Sequence, residues 1–283
     1  PKAILICELC DDEPDTAEGG RAASRLDQRI RRLADDMKRS AIGQPVVRVT
    51  DPAVQRAVWT LRNKGFGLLM SPPGYSHPLE FIEDAAVDPS RLADYIAELD
   101  SMLKSEGITQ VGYYAHASVG VLHVRPTLNL KQPGDVVRLR RIAAKTCDLV
   151  HRYGGAMTGE HGDGIVRSEW LERLYGPRIV QAFRELKAAF DPENLFNPRK
   201  IVDPLPIDER LRHSSASQPV PIHTQLDFSV HGGLASLAGM CSGVGQCRQK
   251  LVGTMCPSYM ATLDERHTTR ARAHALRIAL TRP

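Results

Sequence analysis

Residues 111–126 read VGYYAHASVGVLHVRP, and the fold turns on whether this stretch is a hairpin. Two runs rich in β-branched and aromatic residues flank the pair Val119-Gly120, as two antiparallel strands flank a turn. With a two-residue turn there, His116 and His123 stand opposite one another on one side of the ladder, their Cβ atoms about 4.5–5.5 Å apart. Valine fits the first position of a tight turn poorly, and a loop of three or four residues would make the facing looser. Two imidazoles so placed can share a metal ion at about 2.0–2.1 Å each.

Outward from the hairpin, helical and strand patterns alternate. Helices are expected over residues 22–40, 51–65, 88–107 and 133–155. The third is the clearest, with Leu92, Tyr95, Ile96, Leu99, Met102 and Leu103 at three-and-four spacing, Asp88 as N-cap, Pro89 at the first helical position and Gly107 at the end. Further strands are expected at AILICEL (3–9), which reads as buried, PVVRVT (45–50), FGLLM (66–70) and FIEDAAV (81–87). This order implies an α+β fold, a largely antiparallel sheet with helices on one face. Residues 204–225, rich in Pro, Ser and charge, read as a linker. They separate a first domain over 1–203 from a short, mainly helical unit over 226–283.

A second motif bears on the hairpin. In TGEHGDG (158–164) the glycines let the backbone turn and approach a neighbour closely, so Glu160 and His161 are presented rather than packed. Two histidines and a carboxylate with open coordination positions form a recognised catalytic arrangement for zinc or iron. Neighbours in an extended loop point in opposite directions, so Glu160 can face the metal while His161 faces a substrate.

The chain has 283 residues, 42% hydrophobic and 25% charged, the balance of a globular protein larger than one usual domain. A net charge of +4 without a concentrated basic tract gives no sign of a nucleic-acid partner. No apolar run is long enough for a transmembrane segment. The start at Pro1 inside an apparent strand and the end at Pro283 after a helical stretch are the expected signs of a fragment. Of six cysteines, three are scattered (Cys7, Cys10, Cys147) and three crowd the last fifth, a pattern of reducing conditions and of a metal or cluster role.

FIEDAAV, AHASVGVLHVRP, TGEHGDG and AFDPENLFNPRKIV, in this order, resemble the C-terminal substrate (cap) domain of the FAD-linked oxidases of the vanillyl-alcohol-oxidase type. That family includes D-lactate, glycolate and D-2-hydroxyglutarate dehydrogenases. The resemblance is close over residues 45–203 and extends over 1–203. The family's Gly-His-x3-Gly-x2-His signature falls on Ala115, His116, Gly120 and His123, with Ala115 in place of the usual glycine and Val119 in place of a frequent aspartate. The resemblance implies that His116, His123 and Glu160 hold a divalent metal, zinc or similar, and that His161 is the base beside the substrate. It further implies that Arg62, in WTLRNKG, pairs a substrate carboxylate, that Asn197 approaches the flavin edge, and that the FAD-binding domain lies upstream of Pro1.

The tail CSGVGQCRQKLVGTMCPSYMAT (241–262) carries Cys241, Cys247 and Cys256, the last followed by Pro257. A bacterial iron–sulfur run is spaced C-x2-C-x2-C-x3-C-P. Here Val244 occupies the middle position and the last gap is eight residues. The stretch resembles the start of the 4Fe-4S cluster domain that some of these oxidases carry, whose remaining cysteines would lie beyond Pro283. Structural zinc is the rival. Arg266, Arg270, Arg272 and Arg277 read as a solvated helix face that could also offset an anionic cluster.

The resulting expectation is a flavin-dependent dehydrogenase of a small 2-hydroxy acid. It would work by metal-assisted deprotonation and hydride transfer to FAD, pass electrons through the iron–sulfur module to a further acceptor, and reside in the cytoplasm or peripherally at the inner face of the membrane. The alternatives are a metal-dependent hydrolase using His116, His123 and Glu160 with water, and a non-catalytic electron-transfer piece.

Overall fold

The computed structural model describes residues 3–10, 20–41, 45–214, 218–250 and 255–282. It separates into two units, residues 1–65 and 66–283.

The first unit holds α1 (Gly20–Arg39) and most of α2 (Pro52–Leu69). Asp51 starts α2 by accepting the Ala53 amide at 2.6 Å, with Pro52 at the first helical position, where its missing N–H costs nothing. Three strand expectations fail. Residues 3–9 and 45–50 form no strand, and Ile4 and Leu5 are 78% and 64% exposed rather than buried. FGLLM is helical, because α2 runs through Gly65 to Leu69. A short apolar run does not distinguish strand from helix by period. Here tertiary contact decides, since Leu69 closes on Gly112, where an added Cβ would lie 3.0 Å from its Cδ2.

In the second unit β1 (His77–Pro78), β2 (Ala85–Ala86), β3 (Val111–His116) and β4 (Val121–Leu128) form an antiparallel sheet. β4 is central, with β3 along one edge and β1 and β2 in line along the other. Of FIEDAAV only Ala85 and Ala86 make a strand; Asp84, at φ +80°, breaks the ladder. α3 (Leu92–Ser105) follows a 3-10 turn capped by Asp88, which accepts the Ser90 amide at 2.8 Å. It ends at Gly107, with Ile108 N–H donating to Leu103 and Gly107 N–H to Lys104, the paired bonds of a Schellman cap. α4 (Pro133–Arg152) lies beside it. Tyr95, Leu99 and Leu103 of α3, Ile142, Ala143 and Val150 of α4, and Leu122 and Val124 of β4 form the core. α5 (Gly164–Arg167), α6 (Leu171–Tyr175) and α7 (Pro177–Phe190) follow. The fold class is the α+β layer that the sequence implies.

Glu106, at the end of α3 with its side chain 4% exposed, pairs with Arg141 and Lys145 of α4. The Arg141 guanidinium holds its carboxyl at about 2; burial opposes this and Lys145 adds to it. A depressed carboxyl pKa stabilises the fold above the unfolded value, and that gain is lost as pH falls through the folded one. Arg141 and Lys145 are half-exposed, so solvent screening reduces the contribution to about 1–2 kcal/mol. Glu106→Gln should therefore lower the unfolding free energy by about that amount at pH 7, with the difference from wild type vanishing as pH approaches 2 in a urea series.

The start of the stretch read as a linker is packed. Leu205 and Ile207 are buried, Ile207 N–H donates to Glu169 at 2.7 Å, and Asp208 pairs with Arg140 at 2.8 Å. Beyond it lie β5 (Gln218–Pro219), α8 (Leu234–Gly239), α9 (Pro257–Thr262), α10 (Thr269–Ala279) and β6 (Thr281–Arg282), with β5 antiparallel to β6.

Candidate metal and substrate site

The hairpin register differs from that of a two-residue turn. Tyr114 faces His123 and His116 faces Val121, so residues 117–120 form a four-residue loop. Its last residue, Gly120, has φ +71°, and a Cβ there would fall 1.8 Å from the Val87 carbonyl oxygen, so only glycine fits. The offset from direct facing is two residues, and side chains alternate with period two, so both histidines keep to one face. Their rings meet edge to face at 5.2 Å.

Residues 158–161 fold back over this face. At Gly159 a Cβ would meet Val121 Cγ2 at 2.8 Å, so the loop lies against β4. Asp84 fixes it there. Fully buried, Asp84 accepts the Thr158 hydroxyl at 2.6 Å and the amides of Gly159, Glu160 and His161 at 3.0, 3.1 and 2.8 Å, all on Oδ2. Burial raises its pKa, but these donors outweigh it and the net shift is downward.

The loop delivers Glu160 Oε1 to a point 3.4 Å from His116 Nε2, 3.2 Å from His123 Nε2 and 3.6 Å from His161 Nε2. The rings of His123 and His161 stack at 5.1 Å. Most of these spacings exceed a good N–H···O bond. The spacings of His116 and His123 from Glu160 match those of ligands around a shared ion, since two atoms about 2.0–2.1 Å from a tetrahedral metal lie about 3.3–3.4 Å apart. Burial foremost lowers the pKa of His123; His161 and His116 add to this, and Glu83 and Glu160 oppose it. A neutral imidazole is the form that ligates. Asp84, His123, Glu160 and His161 each offer an atom within 4.8 Å of the others, but the bonds of Asp84 run into the loop backbone, so it orients rather than ligates.

Behind His161 stands a second carboxylate. Glu83 Oε1 lies 3.4 Å from His161 Nδ1, and its Oε2 accepts from Arg125 Nε at 2.9 Å. Arg167, 8% exposed, donates to the Glu83 carbonyl at 3.1 Å and to the Gly162 carbonyl at 2.7 Å. Sequence reasoning missed Asp84, Glu83 and Arg167. The available signal was the pair of acids inside the apolar run FIEDAAV.

Arg62 is on α2 in the first unit, its guanidinium 5.6 Å from the Trp59 ring centre. Asn197 is exposed at φ +47° before Pro198, in a loop fixed by Asp191, which accepts the Leu195 and Phe196 amides at 2.9 Å each. Cys241 and Cys247 are half-buried and Cys256 is buried. The Tyr259 amide foremost, and Thr269 and Arg272 besides, hold the Cys256 thiol below its ordinary pKa against the effect of burial. The three cysteine sulfurs do not form a set within 4.8 Å of one another among the described residues. A tetrahedral zinc site, with Zn–S near 2.3 Å, would hold its sulfurs about 3.8 Å apart.

Fold and site together define an α+β domain with a convergent histidine–carboxylate centre on one sheet face. Residues 4–201 match the family model described as FAD linked oxidases, C-terminal domain, and the chain belongs to that family. Over 284 residues it is 34% identical to a D-2-hydroxyglutarate dehydrogenase of Pseudomonas putida, covering 97% of this chain and 26% of that protein. An Escherichia coli D-2-hydroxyglutarate dehydrogenase is 32% identical over 288 residues, covering 96% of this chain and 28% of its own. A D-lactate dehydrogenase of Archaeoglobus fulgidus is 32% identical over 119 residues, 42% of this chain and 26% of its own. The chain thus spans about a quarter of the length of these relatives. Among the described residues, no helix is long and apolar enough to cross a membrane.

Proposed function

We propose that this chain is the substrate-binding part of a flavin-dependent dehydrogenase of D-2-hydroxy acids, with D-2-hydroxyglutarate the favoured substrate. The convergence of three imidazoles on Glu160 carries the reading. His116, His123 and Glu160 would hold a divalent metal, and His161 would stand beside it as the base. A bound metal lowers the pKa of a coordinated hydroxyl, and a bound flavin accepts the hydride from the substrate carbon.

The protein's own residues do the rest. As the alcohol becomes a ketone, its hydroxyl proton passes to His161 Nε2 and its C–H electron pair leaves as hydride. Imidazole suits this role near neutral pH. The Glu83 carboxylate fixes the ring through Nδ1 and stabilises the imidazolium that forms, while Arg125 and Arg167 hold Glu83 in place. Arg62 would pair the substrate carboxylate. Asn197 would face the flavin, in a loop whose neighbours Phe190, Leu195 and Phe196 are exposed at 83%, 68% and 72% and so offer apolar surface to a flavin-bearing part.

The preference for D-2-hydroxyglutarate rests on the tail. Matches covering 96–97% of the chain include the cysteine-bearing segment, and those relatives bear that name. Cys241, Cys247 and Cys256 would supply part of a 4Fe-4S site that takes electrons from the flavin. The lowered Cys256 pKa supports a thiolate there, the form that ligates a metal.

His161→Gln tests the assignment in the FAD-loaded protein. Turnover of D-2-hydroxyglutarate should fall about 10²–10⁴-fold with bound metal unchanged. Retained turnover, or loss of metal in this variant, would overturn the role of His161 as base.

A further inference from the structure

One arginine of α10 reaches back to the loop between two cysteines. Arg270 donates from a terminal nitrogen to the Gly243 carbonyl at 2.9 Å, and a Cβ on Gly245 would lie 2.9 Å from the same nitrogen. Gly243 and Gly245, at φ +80° and +79°, turn the chain between Cys241 and Cys247, and glycine at 245 leaves room for the guanidinium. The rest of the guanidinium is tied as well. Its Nε donates to Glu265 Oε1 at 2.8 Å, while Glu265 Oε2 pairs at 3.2 Å with Nε of Arg248, the residue after Cys247. Thr268, fully buried, donates to the Glu265 carbonyl at 2.8 Å and accepts the Ala271 amide at 2.9 Å, which joins this turn to α10. The third cysteine borders the same turn, with Cys256 Sγ 3.4 Å from the His267 carbonyl oxygen. Arg266, by contrast, is held by Asp264 at 2.6 Å and Arg277 by the Arg212 carbonyl at 2.9 Å.

We propose that Arg270 is the positioning residue of the cysteine-bearing loop: it holds residues 241–248 against the turn beside Cys256 and sets one positive charge next to Cys241 and Cys247. The charge role rests on the reading of these cysteines as cluster ligands; the hold on the loop does not. Thiolate ligation concentrates negative charge in this loop, and a nearby cation favours the more negative, reduced state of an iron–sulfur centre. The Arg270 side chain is only 28% exposed, so water screens that charge incompletely. The bond to Glu265 foremost raises the Arg270 pKa; burial opposes it, and Cys247 and Cys241 add to it. The guanidinium thus stays charged while one face meets a carboxylate and the other the loop.

Two measurements on the full-length protein test the two roles separately. In the cluster-free protein, hydrogen exchange reads the hold, because the amides of Arg248 and Gln249 donate to the carbonyls of Gly245 and Gln246 inside the loop. Arg270→Gln should speed their exchange about tenfold or more, the worth of a charge-assisted bond, and leave α4 unchanged. Unchanged exchange in the loop, or equal acceleration in α4, would overturn the hold. In the cluster-loaded protein, a redox titration followed by electron paramagnetic resonance reads the charge. Arg270→Gln should cut the reduced-to-oxidised ratio about tenfold at the wild-type midpoint, a fall of about 59 mV for a one-electron couple. Arg270→Lys should restore most of it. Glu265→Gln, which removes the opposing carboxylate, should move the midpoint the other way, whereas a residue that only shaped the loop would give no opposed signs. Midpoints that stay put, or that move in one direction in both variants, would overturn the charge role. A wild-type protein that takes up zinc in place of iron and sulfide would overturn the cluster reading and the charge role with it, and the exchange result would still decide the hold.

Discussion

Glu160→Gln should empty the metal centre while leaving the fold standing. Oε1 of Glu160 is the atom on which three Nε2 atoms converge, and it supplies the only negative charge among the proposed ligands. An amide oxygen of the same size keeps the volume and loses the charge, so affinity for a divalent ion should fall by more than the about 10–100-fold of a lost partner behind the ligands. Stability of the metal-free protein should change by no more than about 0.5–1 kcal/mol, because the side chain is 47% exposed. Metal analysis after dialysis, with unfolding midpoints of the metal-free proteins, checks both halves. Full metal content in Glu160→Gln would remove Glu160 from the ligand set.

How the sequence encodes this site depends on parity more than on register. The numbers 116 and 123 place the two histidines on one face for a two-residue or a four-residue loop, because either register preserves the alternation. The common face was therefore legible, while the loop length depended on the Val87 carbonyl lying over Gly120, a contact between distant segments. The helices α3 and α4 were legible for a similar reason, since spacing and caps are local. Residues 3–9 and 66–70 were not, because short apolar runs take their form from their neighbours. FIEDAAV held more than a strand. Its two acids split, Glu83 toward His161 and Asp84 into the loop at 158–161, and no local pattern reports a partner more than seventy residues away.

Asp84→Ala should cost about 3–5 kcal/mol, the scale set by removing one partner of a buried, charge-assisted network. The Thr158 hydroxyl and the amides of Glu160 and His161 then lose this acceptor inside the protein, at a full desolvation cost for each that water fails to reach, while the Gly159 amide keeps the Asp84 backbone carbonyl at 2.8 Å. Asp84→Asn separates charge from shape. Its amide can still accept through oxygen, but its NH2 group meets backbone N–H groups, so a smaller loss of about 1–3 kcal/mol is expected. Both variants should also weaken the metal centre about 10–100-fold, since the loop positions Glu160 and His161 together. The carboxyl of Asp84 is held below its ordinary range, so its stabilisation is complete above about pH 4 and is lost as pH falls through the lower folded value. Urea unfolding of the metal-free proteins, paired with metal titration, separates this residue from Glu160. A ligand would lose metal without stability, whereas the anchor of the loop should lose both. An Asp84→Ala protein as stable as wild type would show that the loop is held by its packing against β4 and not by this carboxylate.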